Sequence, residues 1–202
     1  MTDDLRLVVQ QPALPRYRVP VFRALANEPG IDMRLIYADV PNLPNAEPDG
    51  FKARHTPVRS IRLPGGRNLL WNQAQIDHAD PRYADVMILS WNLNVASLIP
   101  ALIKAKRHGI PTVLWGHGYS KQDASWRSIP RRKVTSLATA LLLYNHSIAK
   151  RYVEGGIDEA RVHVALNAID QTPIDAARRS WLERPDDLAA FRREHDLDDG
   201  PL

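Results

Sequence analysis

ATALLLYNHSIAKRYVEGGIDEARVHVALNAID, residues 138–170, decides the fold. A short apolar run leads into a helical pattern that Gly155 and Gly156 close, and a second short strand and a turn follow. This is one strand–helix–strand repeat of a doubly wound α/β domain. The 32 residues after Asp170 predict a polar helix and a tail. We therefore expect a Rossmann-like domain over residues 1–170 and a linker with a helix over residues 171–202.

The same alternation of strands and helices runs through the rest of the chain. Short apolar runs predict buried strands, and apolar positions three to four residues apart predict helices. Residues 38–50 predict a loop and residues 58–63 a further strand. The remaining strands are predicted at 5–9, 33–37, 86–89 and 111–115, with helices at 19–27 and 95–107. This order predicts a mostly parallel sheet with helices on both faces.

Composition is that of an ordinary globular domain, with 44% hydrophobic and 25% charged residues and a net charge of +4. The chain has no cysteine, which excludes disulfides, thiolate catalysis and cysteine-bound metals. No apolar run approaches the roughly 18 residues of a membrane span, and the acidic N-terminal sequence MTDDLRLVVQQP does not fit a secretory signal. We expect a cytoplasmic location, with a peripheral position on the inner face of the membrane as a further expectation.

Polar and aromatic residues follow four of the predicted strands. In an open parallel sheet, ligands bind outside the carboxyl ends of the strands, so these residues are expected to converge on one crevice. The residues after the strands are Gln10, Gln11, Pro15, Arg16, Tyr17 and Arg18; Ser90, Trp91 and Asn92; Gly116, His117, Gly118, Tyr119 and Ser120; and Asn145 and His146.

His117 is the sharpest single candidate. The flanking Gly116 and Gly118 leave its backbone free to approach a ligand, and an imidazole can hydrogen-bond a sugar hydroxyl or move its proton. The alternative is a loop histidine that only backbone groups satisfy. His146 opens a helix and is equally well explained as an exposed first-turn residue.

Two basic segments suggest anionic ligands. Arg16 and Arg18 flank Tyr17 just before a helix, where they could hold a phosphate; a solvated loop with local pairing is the alternative. A second segment could dock on anionic lipid headgroups, although a solvated helix face explains it better. Its residues are Trp126, Arg127, Arg131, Arg132 and Lys133.

Several sequence signatures are missing. The first strand is not followed by the G-x-G-x-x-G dinucleotide fingerprint, and the chain has neither a Walker A pattern nor a G-x-S-x-G nucleophile elbow. Histidine and carboxylate spacing indicates no metal site, and no nucleic-acid-binding module is visible. We expect no metal, no bound cofactor and no nucleic-acid partner.

Three motifs, in order, resemble the N-terminal domain of glycosyltransferases of the GT-B fold, specifically glycosyltransferase family 4. LPRYRVPVFRALA, residues 14–26, resembles the loop and first helix of family members that act on cell-surface polysaccharides and lipids. WGHG, residues 115–118, resembles the strand end that bears a cleft histidine. Residues 138–170 resemble the segment ending in N-[GA]-[IV]-D, with Asn145 in place of the usual serine and Ala168 in place of the commoner glycine.

This resemblance implies two facing Rossmann-like domains, of which this chain resembles the acceptor-binding one. The donor, a nucleotide sugar, would be held mainly by a C-terminal domain that the resemblance places after residue 202, in the same chain or in trans. His117 would be the catalytic contact to the acceptor hydroxyl. The expected acceptor-binding residues are Arg16, Tyr17, Arg18, Trp91, Asn92, Gly116, Gly118 and Asn145.

The resemblance implies sugar transfer from a nucleotide sugar to a hydroxyl of a glycan or lipid-linked acceptor, with retention of configuration, in polysaccharide or glycolipid synthesis. The hexosyltransferase activity would belong to the two-domain enzyme, and this chain alone is expected to show negligible turnover. Two alternatives stay open. One is a non-catalytic module that binds glycan, lipid or a partner domain; the other is a nucleotide-sugar epimerase of GT-B shape.

Overall fold

A seven-stranded parallel sheet forms the centre of the protein in the computed structural model, which describes residues 4–40, 43–62, 68–118, 133–167 and 169–197. The strands lie in the order β3-β2-β1-β6-β7-β8-β9, and every neighbouring pair is parallel. Their bounds are β1 Leu5–Gln10, β2 Ile31–Tyr37, β3 Lys52–His55, β6 Val86–Ser90, β7 Thr112–Gly116, β8 Ala140–Leu143 and β9 Val162–Val164.

The chain winds outward from β1 through β2 to β3 and then returns to β6 on the other side of β1. This reversal is the doubly wound topology that the sequence predicts, so the predicted fold class is confirmed. It also makes the gap between β1 and β6 the topological switch point, where ligands of such sheets bind at the carboxyl ends of the strands.

Helices cover both faces of the sheet because successive strand residues point to opposite faces. On β1, Val8 packs into one apolar cluster with α2, α3 and α4, while Leu7 and Val9 pack into another with α1. Each face therefore buries its own apolar core. The helices are α1 Val19–Ala26, α2 Gln73–Asp77, α3 Leu98–Arg107 and α4 His146–Glu154.

In the middle of the chain the sequence analysis missed one strand, and it did not predict how another strand pairs. The predicted loop 38–50 is followed by an unpredicted edge strand, β3, whose residues Lys52–His55 are mostly polar and exposed and so give no apolar signal. The strand predicted at 58–63 exists as β4 Arg59–Arg62, but it lies outside the main sheet. It pairs antiparallel with β5 Asn68–Trp71, and all of its residues are exposed.

A second compact unit, Ala168–Leu202, contains two helices, α5 Thr172–Leu182 and α6 Pro185–Glu194, and the first unit is Met1–Asn167. Within the second unit the rings of Trp181 and Phe191 pack with centroids 5.8 Å apart. All of its described residues are at least partly exposed. In the described parts of the chain, none of the helices has the length and apolar character that crossing a bilayer requires.

Several sequence interpretations lie outside the described residues. They concern the turn at 64–66, Tyr119 and Ser120, the basic segment apart from Lys133, Ala168, and residues 198–202.

Candidate functional site

The carboxyl ends of β1, β6, β7 and β8 lie side by side, because these four strands are consecutive in the sheet. The residues that follow them form one edge of the domain, which we call the carboxyl edge. It carries those described candidate residues that follow the four strands in the sequence. The contacts described next show which of those side chains meet.

Arg18 is the centre of the site. The residue lies in the short 3-10 turn Arg16–Arg18 that follows β1, and it is only 7% exposed. Its Nη2 donates to the hydroxyl of Tyr144 at 2.5 Å and to Oδ1 of Asn167 at 3.5 Å. Its guanidinium carbon lies 4.4 Å from the ring centroid of Trp115, 5.3 Å from that of Tyr144 and 5.7 Å from that of Tyr17.

No carboxylate among the described residues pairs with this buried guanidinium. The partners of Arg18 are neutral oxygens and aromatic faces, which compensate only part of the cost of removing a full charge from water. An arginine has five N–H donors, and the two hydrogen bonds to Tyr144 and Asn167 both use Nη2. The geometry therefore leaves a cation with spare donors, suited to a carboxylate or phosphate group.

His117 reaches the same cluster through Tyr144. The two rings pack edge to face with centroids 4.6 Å apart, and Tyr144 in turn lies 6.2 Å from Trp115. His117 itself is exposed, as a residue that meets a ligand must be. Tyr144 thus joins the buried cation to the exposed imidazole.

The glycines beside His117 are needed for packing as well as for backbone freedom. Gly118 has φ +71°, and a Cβ built there would lie 2.9 Å from Cε2 of the buried Tyr152. A Cβ at Gly116 would lie 3.1 Å from Cβ and 3.2 Å from the carbonyl oxygen of Trp91. Both glycines hold the β7 strand end tightly against its neighbours and so fix the position of His117.

The other predicted site residues have roles within the fold. Trp91 is buried and its ring lies 5.3 Å from that of Tyr152, with an Nε1 that finds no hydrogen-bond partner among the described residues. Asn92 Oδ1 accepts from the Asn94 amide at 2.9 Å in a local turn. Asn145 caps α4, accepting from the Ile148 amide at 2.8 Å.

The structure therefore brings some candidates together and leaves others apart. Arg18 and His117 belong to one cluster, and Tyr17, which is 42% exposed, borders it. Arg16 is exposed, and its side chain forms no hydrogen bond or ion pair with the described residues. The contacts of Trp91, Asn92 and Asn145 described above do not include Arg18 or His117.

Sequence reasoning missed three residues of this cluster: Tyr144, Trp115 and Asn167. Tyr144 is the first residue beyond β8, which ends at Leu143, whereas the residues listed from the sequence for this strand end begin only at Asn145. Trp115 and Asn167 lie inside the two motifs WGHG and N-A-I-D. Attention to every side chain of those motifs, rather than to His117 alone, would have found them.

Two polar residues at the end of β1 also differ in role. Gln10 is buried, and its Oε1 accepts a hydrogen bond from Gln75 Nε2 at 2.6 Å. Gln75 in turn accepts at its Oε1 a hydrogen bond from Ser97 Oγ at 2.6 Å. This chain of hydrogen bonds ties α2 to the sheet. Gln11 is buried too, but its Nε2 has no partner among the described residues.

A metal centre has no support in the described ranges, where no three histidine or carboxylate side chains are grouped so as to hold an ion. The chemistry of the carboxyl edge is that of a cation, an imidazole and a phenol. Such groups bind an anion and hydrogen-bond hydroxyls.

Comparisons with known proteins give matches of fold only. No protein-family model and no curated protein matches the chain. The UDP-GlcNAc 2-epimerase of Methanocaldococcus jannaschii is 17% identical, with a TM-score of 0.50 over 96% of this chain and 53% of that protein. The UDP-GlcNAc 2-epimerase of Neisseria meningitidis, bound to UDP-GlcNAc, is 12% identical, with a TM-score of 0.50 over 96% of this chain and 54% of that protein.

A third similar structure is Anabaena HepE in complex with UDP and glucose, 12% identical with a TM-score of 0.51 over 83% of this chain and 46% of that protein. The chain thus spans about half the length of these proteins. The epimerases share the GT-B-like Rossmann fold with glycosyltransferases, so one Rossmann-like domain of the expected kind is confirmed, whereas membership of glycosyltransferase family 4 is not shown. At these identities the likeness extends to the fold alone.

Proposed function

We propose that this chain is the acceptor-side Rossmann domain of a two-domain sugar-nucleotide enzyme, a glycosyltransferase that uses an anionic acceptor. The observation that carries this proposal is the buried Arg18 guanidinium at the carboxyl edge, with no carboxylate partner among the described residues and with the exposed His117 one aromatic ring away. A phosphate or carboxylate of the acceptor would supply the missing charge.

In this proposal each residue of the cluster has a separate role. Arg18 binds the anionic group of the acceptor, Tyr144 positions both Arg18 and His117, and His117 hydrogen-bonds the acceptor hydroxyl. That oxygen forms a bond to the anomeric carbon of the donor sugar, while the bond from that carbon to the diphosphate oxygen breaks. The hydroxyl proton leaves with the nucleoside diphosphate, which matches retention of configuration.

The donor site is proposed to lie on a second Rossmann domain. The similar structures are about twice as long as this chain, and two of them contain UDP or a UDP-sugar. Stabilisation of the leaving diphosphate is the dominant electrostatic demand of such a transfer. We therefore expect negligible turnover from this chain without a second domain, whether that domain is in the same polypeptide or added in trans.

A UDP-sugar epimerase is the second candidate, favoured by the likeness of fold to UDP-GlcNAc 2-epimerases. An epimerase would convert its UDP-sugar without any acceptor, whereas a transferase needs one. Product analysis with and without acceptor separates the two. A non-catalytic module would bind acceptor or partner and convert nothing in either mixture.

The proposal is tested by measuring binding of lipid-linked and glycan phosphates to the chain by calorimetry, and transfer with the second domain present. His117→Ala should abolish transfer and weaken acceptor binding, whereas Tyr144→Phe should weaken binding about 5-fold by removing one hydrogen-bond acceptor. His146→Ala is the matched control, since His146 is exposed at the start of α4 beside the same edge. Equal activity of the His117 and His146 variants would contradict the assignment.

A further inference from the structure

A cavity of about 500 Å³ lies away from the carboxyl edge, between strands β2 and β3, helices α2 and α3, and the loop before β6. It shares no lining residue with the Arg18 cluster. Its charged and titratable lining consists of Arg34, Arg54, Asp77, His78, Arg82 and Lys104, with Tyr83 beside them. Four permanent cations therefore face one carboxylate.

The two strand arginines lie on the same face of the sheet. Arg54 of β3 is in register with Ile36 of β2, and Ile36 lies two residues from Arg34 and so on the same side. Neither guanidinium forms a hydrogen bond or an ion pair with the described residues. Arg54 is exposed and Arg34 half-buried, so solvent reaches both residues, and both charges are available to an anion that binds in the cavity.

The remaining cations differ in how far they are neutralised. Lys104 Nζ donates a hydrogen bond to the Ile76 carbonyl at 2.9 Å, which holds the ammonium in place, and its charge also interacts with the Asp80 carboxylate. Arg82 is bound through two nitrogens to Asp80, so its charge is largely balanced. Asp77 Oδ1 accepts from Gln73 at 2.9 Å. The cavity keeps a positive excess centred on Arg34, Arg54 and Lys104.

His78 adds a group that can gain a proton. Its Nδ1 lies 2.8 Å from the Ala74 carbonyl, which only accepts, so Nδ1 carries the hydrogen and Nε2 is the atom left to be protonated. Burial lowers the pKa of His78, and the charges of Arg54 and Arg34 lower it further, against the opposing effects of the Ala74 carbonyl and Asp77. Arg82, Tyr83 and Lys104 complete the charged and titratable groups around it. An anion in the cavity would raise this pKa.

We propose that this cavity is a second binding site, and that its ligand is a small molecule with two closely spaced phosphate groups, held by Arg34, Arg54 and Lys104. The volume falls in the range of about 300–1,000 Å³ typical of small-molecule sites. Two guanidinium forks match phosphate oxygens, and a diphosphate carries enough charge to satisfy three cations at once. The Arg18 cluster, with its single guanidinium, does not offer this arrangement.

Inorganic pyrophosphate is the probe. Calorimetric titration of the chain at low salt should show saturable binding, at least 10-fold tighter than that of orthophosphate. Arg54→Gln and Arg34→Gln should each weaken binding about 10-fold or more. Arg59→Gln, an exposed arginine on β4, makes the same change of net charge and should leave binding unaltered. Arg18→Met should remove only the binding at the Arg18 cluster and leave the component that depends on Arg34 and Arg54 unaltered, which separates this site from the acceptor site.

Proton uptake provides a second readout. Pyrophosphate is partly protonated at pH 7 and releases protons beside cations, whereas His78 gains one. Titrations at pH 7 in buffers of different ionisation enthalpy should therefore show that His78→Gln takes up fewer protons, or releases more, than the parent chain on binding pyrophosphate. The proposal is overturned if millimolar pyrophosphate gives no saturable heat. It is also overturned if the Arg34 and Arg54 variants bind as tightly as the Arg59 control.

Discussion

Two arginines near opposite ends of β1 differ in their burial and in the partners of their guanidinium groups. Arg6, near the start of β1, binds both carboxylate oxygens of Asp85, with Nε at 3.0 Å from Oδ2 and Nη2 at 2.5 Å from Oδ1. Its side chain and that of Asp85 are 41% and 37% exposed. Arg18, beyond the end of β1, is buried, and its partners are neutral oxygens and aromatic rings.

The guanidinium of Arg6 has its counter-ion within the fold, whereas that of Arg18 lacks one among the described residues. A half-exposed bidentate pair joins β1 to the residue before β6 and is satisfied within the domain. A buried guanidinium without a counter-ion is a cost that the packing around it must offset. Because ligands of doubly wound sheets bind at the carboxyl edge, we propose that a bound anion offsets this cost.

Replacing Arg6 or Arg18 by methionine should give the largest difference between the two residues, in ligand binding and in the free energy of unfolding. Arg18→Met should weaken binding of an anionic acceptor about 100-fold, because charge-assisted hydrogen bonds of about 1.5–3 kcal/mol are lost. The same change should leave the free energy of unfolding equal or higher, since a buried charge is removed. Arg6→Met should do the reverse, lowering stability by at most about 1 kcal/mol without any effect on binding.

Calorimetry for binding and urea denaturation for stability measure both effects on the same two variants. If Arg18→Met is strongly destabilised and Arg6→Met is not, the buried arginine is a structural residue and the contrast between the two ends fails.

Two glycines at opposite ends of β7 allow the same comparison through backbone packing. Gly109 and Gly118 have φ of +68° and +71°, so alanine costs about 1–2 kcal/mol of backbone strain at each. A Cβ at Gly109, between α3 and β7, meets nothing within 4 Å, whereas at Gly118 it meets Tyr152 at 2.9 Å. Gly118→Ala should therefore be less stable than Gly109→Ala by about 1–3 kcal/mol in urea denaturation.

The variants Gly118→Ala and Gly109→Ala should also differ in ligand binding, because Gly118 is next to His117. Because Gly118 fixes the loop that carries His117, Gly118→Ala should also reduce acceptor binding, while Gly109→Ala should not. Equal stability of the two variants would mean that the β7 strand end yields easily and does not hold His117 in place.

The smallest expected effect is the pH dependence of the stability that the Arg6–Asp85 pair contributes. The hydrogen bonds from Arg6 hold the pKa of Asp85 below its ordinary value of 3.8. The carboxylate therefore contributes stability that is fully present above about pH 4 and is lost as pH falls through the lower folded-state pKa. The destabilisation by Arg6→Met should accordingly be larger at pH 7 than at pH 3. A difference in melting temperature that is independent of pH would show that Arg6 acts through packing alone.

Local patterns in the sequence were enough to predict the architecture. Apolar runs such as residues 5–9 and 86–89 mark strands buried on both faces, and the glycines after residues 108 and 154 mark helix ends. These signals miss β3, because an exposed edge strand such as Lys52–His55 needs no apolar residues. The strand order itself depends on pairing between distant segments, which no local pattern contains.

The candidate site was predictable in outline for the same reason. The fold class predicts that strand ends carry the ligand-facing residues, and this rule singled out Arg18 and His117, which the structure brings into one cluster. The Arg18–Tyr144 hydrogen bond joins residues 126 positions apart, so Tyr144 could be recognised as the link only once the strand order β1-β6-β7-β8 was known. Which arginine of the pair Arg16 and Arg18 turns inward also depends on the aromatic surface of Trp115.

The central claim, that the Arg18 cluster is an anion-binding site, is tested most directly by nuclear magnetic resonance. The indole N–H of Trp115, assigned with Trp115→Phe, reports on the ring beneath the guanidinium, and the His117 ring reports on the exposed side. Titration with glucose 1-phosphate should shift both resonances saturably, glucose should not, and Arg18→Met should abolish the response. Unchanged resonances in the parent chain, or shifts that persist in Arg18→Met, would contradict the claim.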